Sequence, residues 1–131
     1  MQTIQQKRAK YALEQVELAI NEGVDQKEFK AYAANLPSMI HMNGLGQAAA
    51  FFKSKGNTHE TLYQILSNWL CGQVAYANTQ PYSDYNDLLK GITSKDMHHY
   101  QVAQAEAQAL MDWVKKFAKA FMDGDEKGEA A

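Results

Sequence analysis

Eight basic side chains are the residues of this 131-residue chain best suited to chemistry. They form three clusters: Lys7, Arg8 and Lys10; Lys53 and Lys55; Lys115, Lys116 and Lys119. Ammonium and guanidinium groups neutralise phosphates without reading bases, so such clusters predict contacts to a nucleic-acid backbone. A solvated helix face is the simpler alternative for each cluster, and lysines in a last helical turn also complement the helix dipole. Taken cluster by cluster, the residues leave both interpretations open.

A second candidate site is a glycine-containing block at residues 37–56. Its polar and glycine residues are Asn43, Gly44, Gly46 and Gln47. Pro37 suits a first helical turn and Gly56 a helix end, so the pattern predicts one helix across the block after a break at Leu36. Each glycine within a helix costs roughly 1 kcal/mol relative to alanine. Two explanations stay open: close helix–helix packing, or close approach of a ligand or partner backbone.

The sequence shows no catalytic constellation. The four histidines, His41, His59, His98 and His99, never recur at the three- or four-residue spacing that lets helical side chains share a metal. Cys71 is the single cysteine, which excludes an intrachain disulfide and argues against zinc. The phosphate-cradling glycine loop and the nucleophile elbow are also missing. We therefore expect a protein that is not an enzyme and that holds no metal or cofactor.

The elements that must position these residues are helices. The first predicted helix runs from Thr3 to about Glu22, and a short second one begins at Asp25 with a capping box. The third spans residues 37–56, and the fourth begins with Asn57 as its cap. A short fifth helix runs from about Asp84 to Lys90 and ends at the following glycine.

The sixth predicted helix has the clearest pattern. Tyr100, Ala107, Val114 and Phe121 repeat every seven residues, over only about three heptads, so packing within a bundle is favoured over a free coiled coil. Apolar spacing predicts a largely buried set: Trp69, Leu70, Leu110, Trp113 and Phe117. The expected fold is all-α, a compact single-domain bundle of about six helices over residues 1–122. An acidic, disordered tail is expected at residues 123–131.

Charge and hydropathy narrow the class of protein. The whole chain has a net charge of −2, but residues 123–131 hold four acidic side chains against one lysine, so residues 1–122 carry 12 basic and 11 acidic side chains. A nucleic-acid-binding protein that acts alone is usually more basic. No run of about 18 apolar residues predicts a membrane span, and the first residues lack the apolar core of a secretory signal. We expect a cytoplasmic protein without membrane contact, whose nucleic-acid contacts depend on partners.

Three blocks of the sequence carry a family resemblance. The central block, Leu36–Gly56, contains Met39-Ile40, Asn43-Gly44-Leu45, Gln47, Phe51 and Ser54-Lys55; the others are Arg8–Ala12 and Tyr100–Ala118. In this order and separation, over about residues 4 to 122, they resemble the small all-helical subunit of type III-B CRISPR effector complexes, the fifth subunit of the Cmr type. Each of the three basic clusters overlaps one of these blocks.

The resemblance implies a non-catalytic subunit of an antiviral ribonucleoprotein. Several copies would stack beside the backbone subunit that holds the guide RNA, and cleavage would belong to other subunits. The basic clusters would lie near the duplex of guide RNA and target RNA, and Asn43, Gly44, Gly46 and Gln47 would serve a subunit interface or close packing. Two alternatives stay open: a helical protein–protein interaction module without a nucleic-acid role, and a small helix-turn-helix DNA-binding regulator.

Overall fold

The computed structural model describes residues 1–123, which form six α-helices and no β-strand. The helices are α1 (Ile4–Asn21), α2 (Gln26–Asn43), α3 (Leu45–Lys55), α4 (Asn57–Leu70), α5 (Leu88–Ser94) and α6 (Met97–Phe121). The predicted all-α class and helix number are confirmed. Within this part of the chain, no helix is long and apolar enough to cross a membrane. Apart from Asp123, the predicted tail lies outside the described residues.

Hydrogen bonds along α6 show the direction of the neighbouring helix α2. At the start of α2, the Gln26 side chain accepts a hydrogen bond from the backbone N–H of Asp123, just beyond the end of α6. Further along α2, the Pro37 carbonyl accepts one from the side chain of Gln108. The helix α2 is therefore antiparallel to α6. A short turn joins α1 to α2, so α1 runs parallel to α6 and packs along it.

The core is formed by the facing sides of these helices, with α4 closing it. Trp69, Leu70 and Leu110 are fully buried, which confirms three of the five predicted core residues. Trp113 and Phe117 are also mostly buried and pack against this core, as predicted, although they are less enclosed than the other three. Their rings stack on each other with centroids 5.5 Å apart at the edge of the buried face of α6. The small residues of α6 fill its closest packing positions instead, which leaves the two large rings at the margin.

The predicted helix start at Asp25 and helix end at Gly56 are confirmed, but the predicted break at Leu36 is wrong. The helix α2 continues through Pro37 to Asn43, and the break falls at Gly44, where φ is +88°. A proline inside a helix costs about 3 kcal/mol. One continuous buried face extends on both sides of it: Phe29, Ala33, Leu36 and Ile40. Burial of each large side chain contributes about 1.5–3 kcal/mol, so packing of this face outweighs the local preference for a break.

Two further predictions about helix ends are also wrong. The helix α4 has Gly56 at its N-cap and no side-chain cap, while Asn57 is its first residue, with φ of 52°. The helix α5 begins at Leu88, and Gly91 lies inside it rather than at its end. A Cβ atom on Gly91 would lie 2.6 Å from the ring of Tyr82. Close approach of that ring, and not a helix stop, accounts for the glycine.

An aromatic junction joins α2, α3 and α4. The ring of Tyr32 stacks on His59 with centroids 3.8 Å apart, and Phe52 meets the imidazole edge-on at 4.8 Å. Burial, together with the nearby charge of Lys55, lowers the pKa of His59 below its ordinary value of 6.5. The folded state therefore favours the neutral imidazole.

Replacing Leu110 by alanine should lower the free energy of unfolding by about 2–5 kcal/mol, because the removed atoms leave a cavity in the core. Val102 lies on the same helix but is 44% exposed, so Val102→Ala should change stability by less than about 1 kcal/mol. Denaturant titration of both variants measures the two values. Equal losses would contradict the placement of Leu110 in the core.

Lowering the pH from 7 to 5 should destabilise the protein in part through His59. Its folded pKa is depressed, so the unfolded chain binds the proton first, and the stability that is present above about pH 6.5 is lost as the pH falls. The variant His59→Phe should show a smaller drop in melting temperature over this range than the wild type. The exposed His98 supplies the control, and if His98→Phe flattened the profile as much, the assignment would be wrong.

Candidate nucleic-acid and subunit interface

Arg8, from the first basic cluster, is held inside the fold. Its Nε and Nη2 atoms donate to the two carboxylate oxygens of Glu106, at 2.7 and 2.9 Å, and Trp69 Nε1 donates to the same carboxylate at 2.7 Å. The Arg8 and Glu106 side chains are only 14% and 13% exposed. The hydrogen bond to Glu106 is the main cause that raises the pKa of Arg8. This pair ties α1, α4 and α6 together and occupies the edge of the guanidinium that would grip a phosphate.

The other lysines near Arg8 have different surroundings. The ammonium of Lys10 lies 4.3 Å from the ring centroid of Tyr76, whose hydroxyl donates to Glu14. Lys7 lies half-buried on the same helix. Of the first cluster, Arg8 is therefore paired within the fold, whereas Lys7 and Lys10 lie three residues apart on α1.

The second cluster lies at the corner between α3 and α4. Lys53 Nζ lies 2.7 Å from a carboxylate oxygen of Glu60, and this hydrogen bond raises the pKa of Lys53 and lowers that of Glu60. The ammonium of Lys55 lies 5.6 Å from the ring centroid of Phe51. Both groups remain exposed, but Lys53 already has an anionic partner.

The third cluster is exposed on the last turns of α6. Lys115, Lys116 and Lys119 form no hydrogen bond or ion pair through their ammonium groups with residues 1–123. Residues four apart on a helix share a face, so Lys115 and Lys119 lie together. Neighbouring residues point about 100° apart, so Lys116 points elsewhere, toward α1. Lys116 lines a groove between α1 and α6 with Trp113.

A groove between α2 and α6 receives Lys115. It has a volume of about 470 Å³ and is lined by Pro37, Ser38, His41, Met42, Gln108 and Lys115. None of these described lining residues is acidic. Serine, histidine and amide side chains can bond phosphate oxygens, so the chemistry of this α2/α6 groove suits a polyanion.

The two glycines of the central block pack against α6. The backbone N–H of Leu45 donates to Gln104 Oε1, and that of Gly46 donates to Tyr100 Oη, both at 2.8 Å. A Cβ atom on Gly44 would lie 3.1 Å from the Tyr100 hydroxyl. Side chains of α6 thus cap the start of α3 across the bundle, which favours the close-packing explanation over approach of a ligand. Asn43 and Gln47 flank this corner with exposed side chains.

Two observations on the described residues concern metal binding and thiol chemistry. No group of three or more possible metal-ligating side chains occurs among them. Burial raises the pKa of Cys71 to about 11, so its thiol stays protonated and unreactive at neutral pH.

Sequence reasoning missed the partners on α6, namely Tyr100, Gln104 and Glu106. One signal was present for Glu106, because it is the single charge in an apolar and amide-rich stretch from 100 to 111. A lone carboxylate on such a face indicates a bonded partner.

Comparisons with known proteins agree on one family. The family described as CRISPR-associated protein (Cas_Cmr5) matches residues 4–121. A relative from Thermus thermophilus, described as CRISPR system Cmr subunit Cmr5, is 29% identical over 123 residues, which are 94% of this chain and 99% of that relative. The crystal structure of a CRISPR-associated Cmr5 family protein from the same organism matches with a TM-score of 0.74 at 27% identity, over 93% of this chain and 100% of the other.

The fold and these matches define a small all-helical CRISPR-associated protein. The chain belongs to the Cmr5 family, the small subunit of type III-B Cmr complexes. The resemblance recognised in the sequence is therefore confirmed.

Replacing Arg8 by alanine should lower the free energy of unfolding by about 3 kcal/mol, because the Glu106 carboxylate then stays largely buried without its ionic partner. The control is Lys116→Ala, which removes an exposed lysine without a partner among the described residues and should change stability by less than about 0.5 kcal/mol. Denaturant titration gives both values. A negligible loss for Arg8→Ala would return Arg8 to the candidates for phosphate contact.

The substitution Gly44→Leu should lower the melting temperature of the isolated chain more than Gly23→Leu does. Both glycines have positive φ, +88° and +81°, but a side chain at Gly23 would meet nothing within 4 Å whereas one at Gly44 would meet Tyr100. The control thus isolates the packing contribution from backbone strain. Equal melting temperatures, together with failed incorporation of Gly44→Leu into the complex, would assign Gly44 to a partner interface instead.

Proposed function

We propose that this chain is a non-catalytic small subunit of a type III-B CRISPR ribonucleoprotein. Copies of it stack along the complex beside the backbone subunit and support binding of target RNA by the guide RNA in antiviral defence. Family membership supports a place among Cmr subunits.

The α2/α6 groove is the observation that carries the RNA role. Lys115 lines this groove beside His41 and Gln108. Lys119 lies one helical turn further along the same side of α6, and neither lysine has an ionic partner among the described residues. Each lysine can neutralise a phosphate without reading a base, so sequence recognition is left to pairing between guide and target.

The other candidate site residues have secondary or structural roles in this proposal. Lys7, Lys10, Lys55 and Lys116 are secondary contacts to RNA, while Arg8 and Lys53 serve intrachain pairs. Asn43 and Gln47 offer exposed amides to a neighbouring subunit at the corner between α2 and α3.

The small net charge of residues 1–122 explains why the chain needs partners in order to bind RNA. Residues 1–122 carry 12 basic against 11 acidic side chains, too small an excess for tight binding to RNA by counterion release. Inside a complex that already holds RNA, effective concentration replaces intrinsic affinity.

A helical interaction module without a nucleic-acid role is the second candidate function. The half-buried rings of Trp113 and Phe117 continue to Phe121, which is 58% exposed. Aromatic side chains at a surface are typical anchors of protein interfaces. In the first proposal the same strip contributes to contacts with neighbouring subunits.

A complex assembled with Lys115→Ala and Lys119→Ala should bind target RNA more weakly than the wild type. The slope of log affinity against log salt should fall by about 0.7 for each lysine that contacts the strand in each copy. Guide RNA content and subunit composition should stay unchanged. The matched control is Lys90→Ala, at an exposed lysine on α5. If the double variant kept the wild-type affinity for target RNA and the wild-type salt slope, the assignment of RNA contact to this groove would be wrong.

A further inference from the structure

A pocket opens between the start of α1, the loop that joins α4 to α5, and the first half of α6. This loop pocket has a volume of about 640 Å³, and its lining includes Ile4, Gln80, Asp84, Lys95, Val102 and Glu106. Pockets that hold a ligand have volumes of about 300–1,000 Å³. The loop pocket shares no lining residue with the α2/α6 groove, so the two are separate surfaces.

The side chain of Gln80 is a polar group that the fold encloses without a partner. Gln80 lines the loop pocket and is only 8% exposed, yet its carboxamide forms no hydrogen bond with any residue between 1 and 123. An enclosed polar group without a partner is costly, and such groups are rare in folded proteins. A carboxamide has both N–H donors and a carbonyl acceptor, so it matches the one donor and one acceptor of a peptide group.

The loop backbone next to this side chain offers further hydrogen bonds. The backbone N–H groups of Thr79 and Gln80 have no acceptor among the described residues. Extended peptides bind to unpaired backbone through main-chain hydrogen bonds, while pockets receive their alternate side chains. The polar side of the loop pocket therefore suits a peptide backbone.

Apolar side chains from two helices supply the other side of the pocket. Ile4 on α1 is 48% exposed and Val102 on α6 is 44% exposed, and both line the pocket. An apolar side chain that packed against them would remove this surface from water, which is favourable in proportion to the area buried.

The charges of the loop pocket favour a basic ligand over a phosphate. Lys95 Nζ lies 3.0 Å from a carboxylate oxygen of Asp84, and His99 Nδ1 lies 2.8 Å from one of Asp96. A phosphate would thus meet no cation in the described lining that lacks an acidic neighbour. The Asp84 side chain is still 59% exposed, and a carboxylate accepts more than one donor, so it can take a second cation.

We propose that the loop pocket binds an extended segment of a partner protein. A peptide group of the segment bonds to the carboxamide of Gln80, an apolar side chain packs against Ile4 and Val102, and a neighbouring basic side chain pairs with Asp84. Successive side chains of an extended segment point to opposite sides, so one faces α1 and α6 while the next faces the loop. This site adds a protein ligand to the proposed function and does not depend on the RNA contact of the α2/α6 groove.

An NMR titration of the isotope-labelled full chain with an end-blocked peptide of alternating lysine and valine tests the proposal. The peptide should shift the signals of the Gln80 carboxamide and of the Ile4 and Val102 methyl groups, with saturation at millimolar concentration. A matched peptide with glutamate in place of lysine should bind more weakly, because Asp84 repels it. Absence of saturable shifts at these groups, or equal affinity for the two peptides, would overturn the proposal.

Two variants and a control assign the contacts. Gln80→Met keeps the length of the side chain but removes its donors and acceptor, so it should weaken peptide binding about tenfold. Gln101→Met changes an exposed amide on α6 outside the pocket and should bind the peptide as the wild type does. Asp84→Asn, at an exposed side chain that leaves the core intact, should abolish the preference for the basic peptide.

Wild-type affinity in both Gln80→Met and Asp84→Asn would contradict the assigned contacts. A second titration uses a short oligouridine RNA, which should leave the signals of Gln80, Ile4 and Val102 unchanged. If the RNA shifted them and the peptide did not, the pocket would be a nucleic-acid site and the proposal would be wrong. Neither result bears on target capture through Lys115 and Lys119, which the complex with those lysines replaced reports separately.

Discussion

The fold depends on a single carboxylate, that of Glu106, which accepts hydrogen bonds from Arg8 of α1 and Trp69 of α4. Three donors from two helices converge on it in a nearly dry environment, where an unmatched charge is far more costly than a matched one. This geometry sets how α1 and α4 approach α6. It also holds Arg8, which the basic pattern of the sequence had included among the RNA-binding candidates, in an intrachain ion pair.

Glu106 lies on α6, and the two halves of this helix differ in their contacts. In its first half, Tyr100, Gln104 and Glu106 bond to other helices and position the start of α3 and the whole of α1. In its second half, Lys115 and Lys119 have no ionic partner among residues 1–123. This internally bonded helix thus presents, at a defined place, two ammonium groups that no described residue pairs, as the proposed contact with RNA requires.

Local sequence signals predicted the helices well where side-chain caps and apolar periodicity determine them. Asp25 caps α2 as its capping-box pattern predicts, α1 fills nearly the predicted span from Thr3, and the heptad pattern correctly places α6. The signals failed where long-range packing decides. Pro37 predicted a break, but burial of one face of α2 carries the helix through it, so the break falls at Gly44. The partner of Arg8 lies 98 residues away, a distance at which periodicity and propensity carry no information.

The central claim is that target RNA lies against the α2/α6 groove of this subunit. Photo-crosslinking of a 4-thiouridine-labelled target RNA in the assembled complex, with the attached peptides mapped by mass spectrometry, tests it most directly. The account predicts crosslinked peptides from two places, the part of α2 around His41 and the last turns of α6 around Lys115. Efficient target crosslinks to other subunits, with none to these two segments, would contradict it.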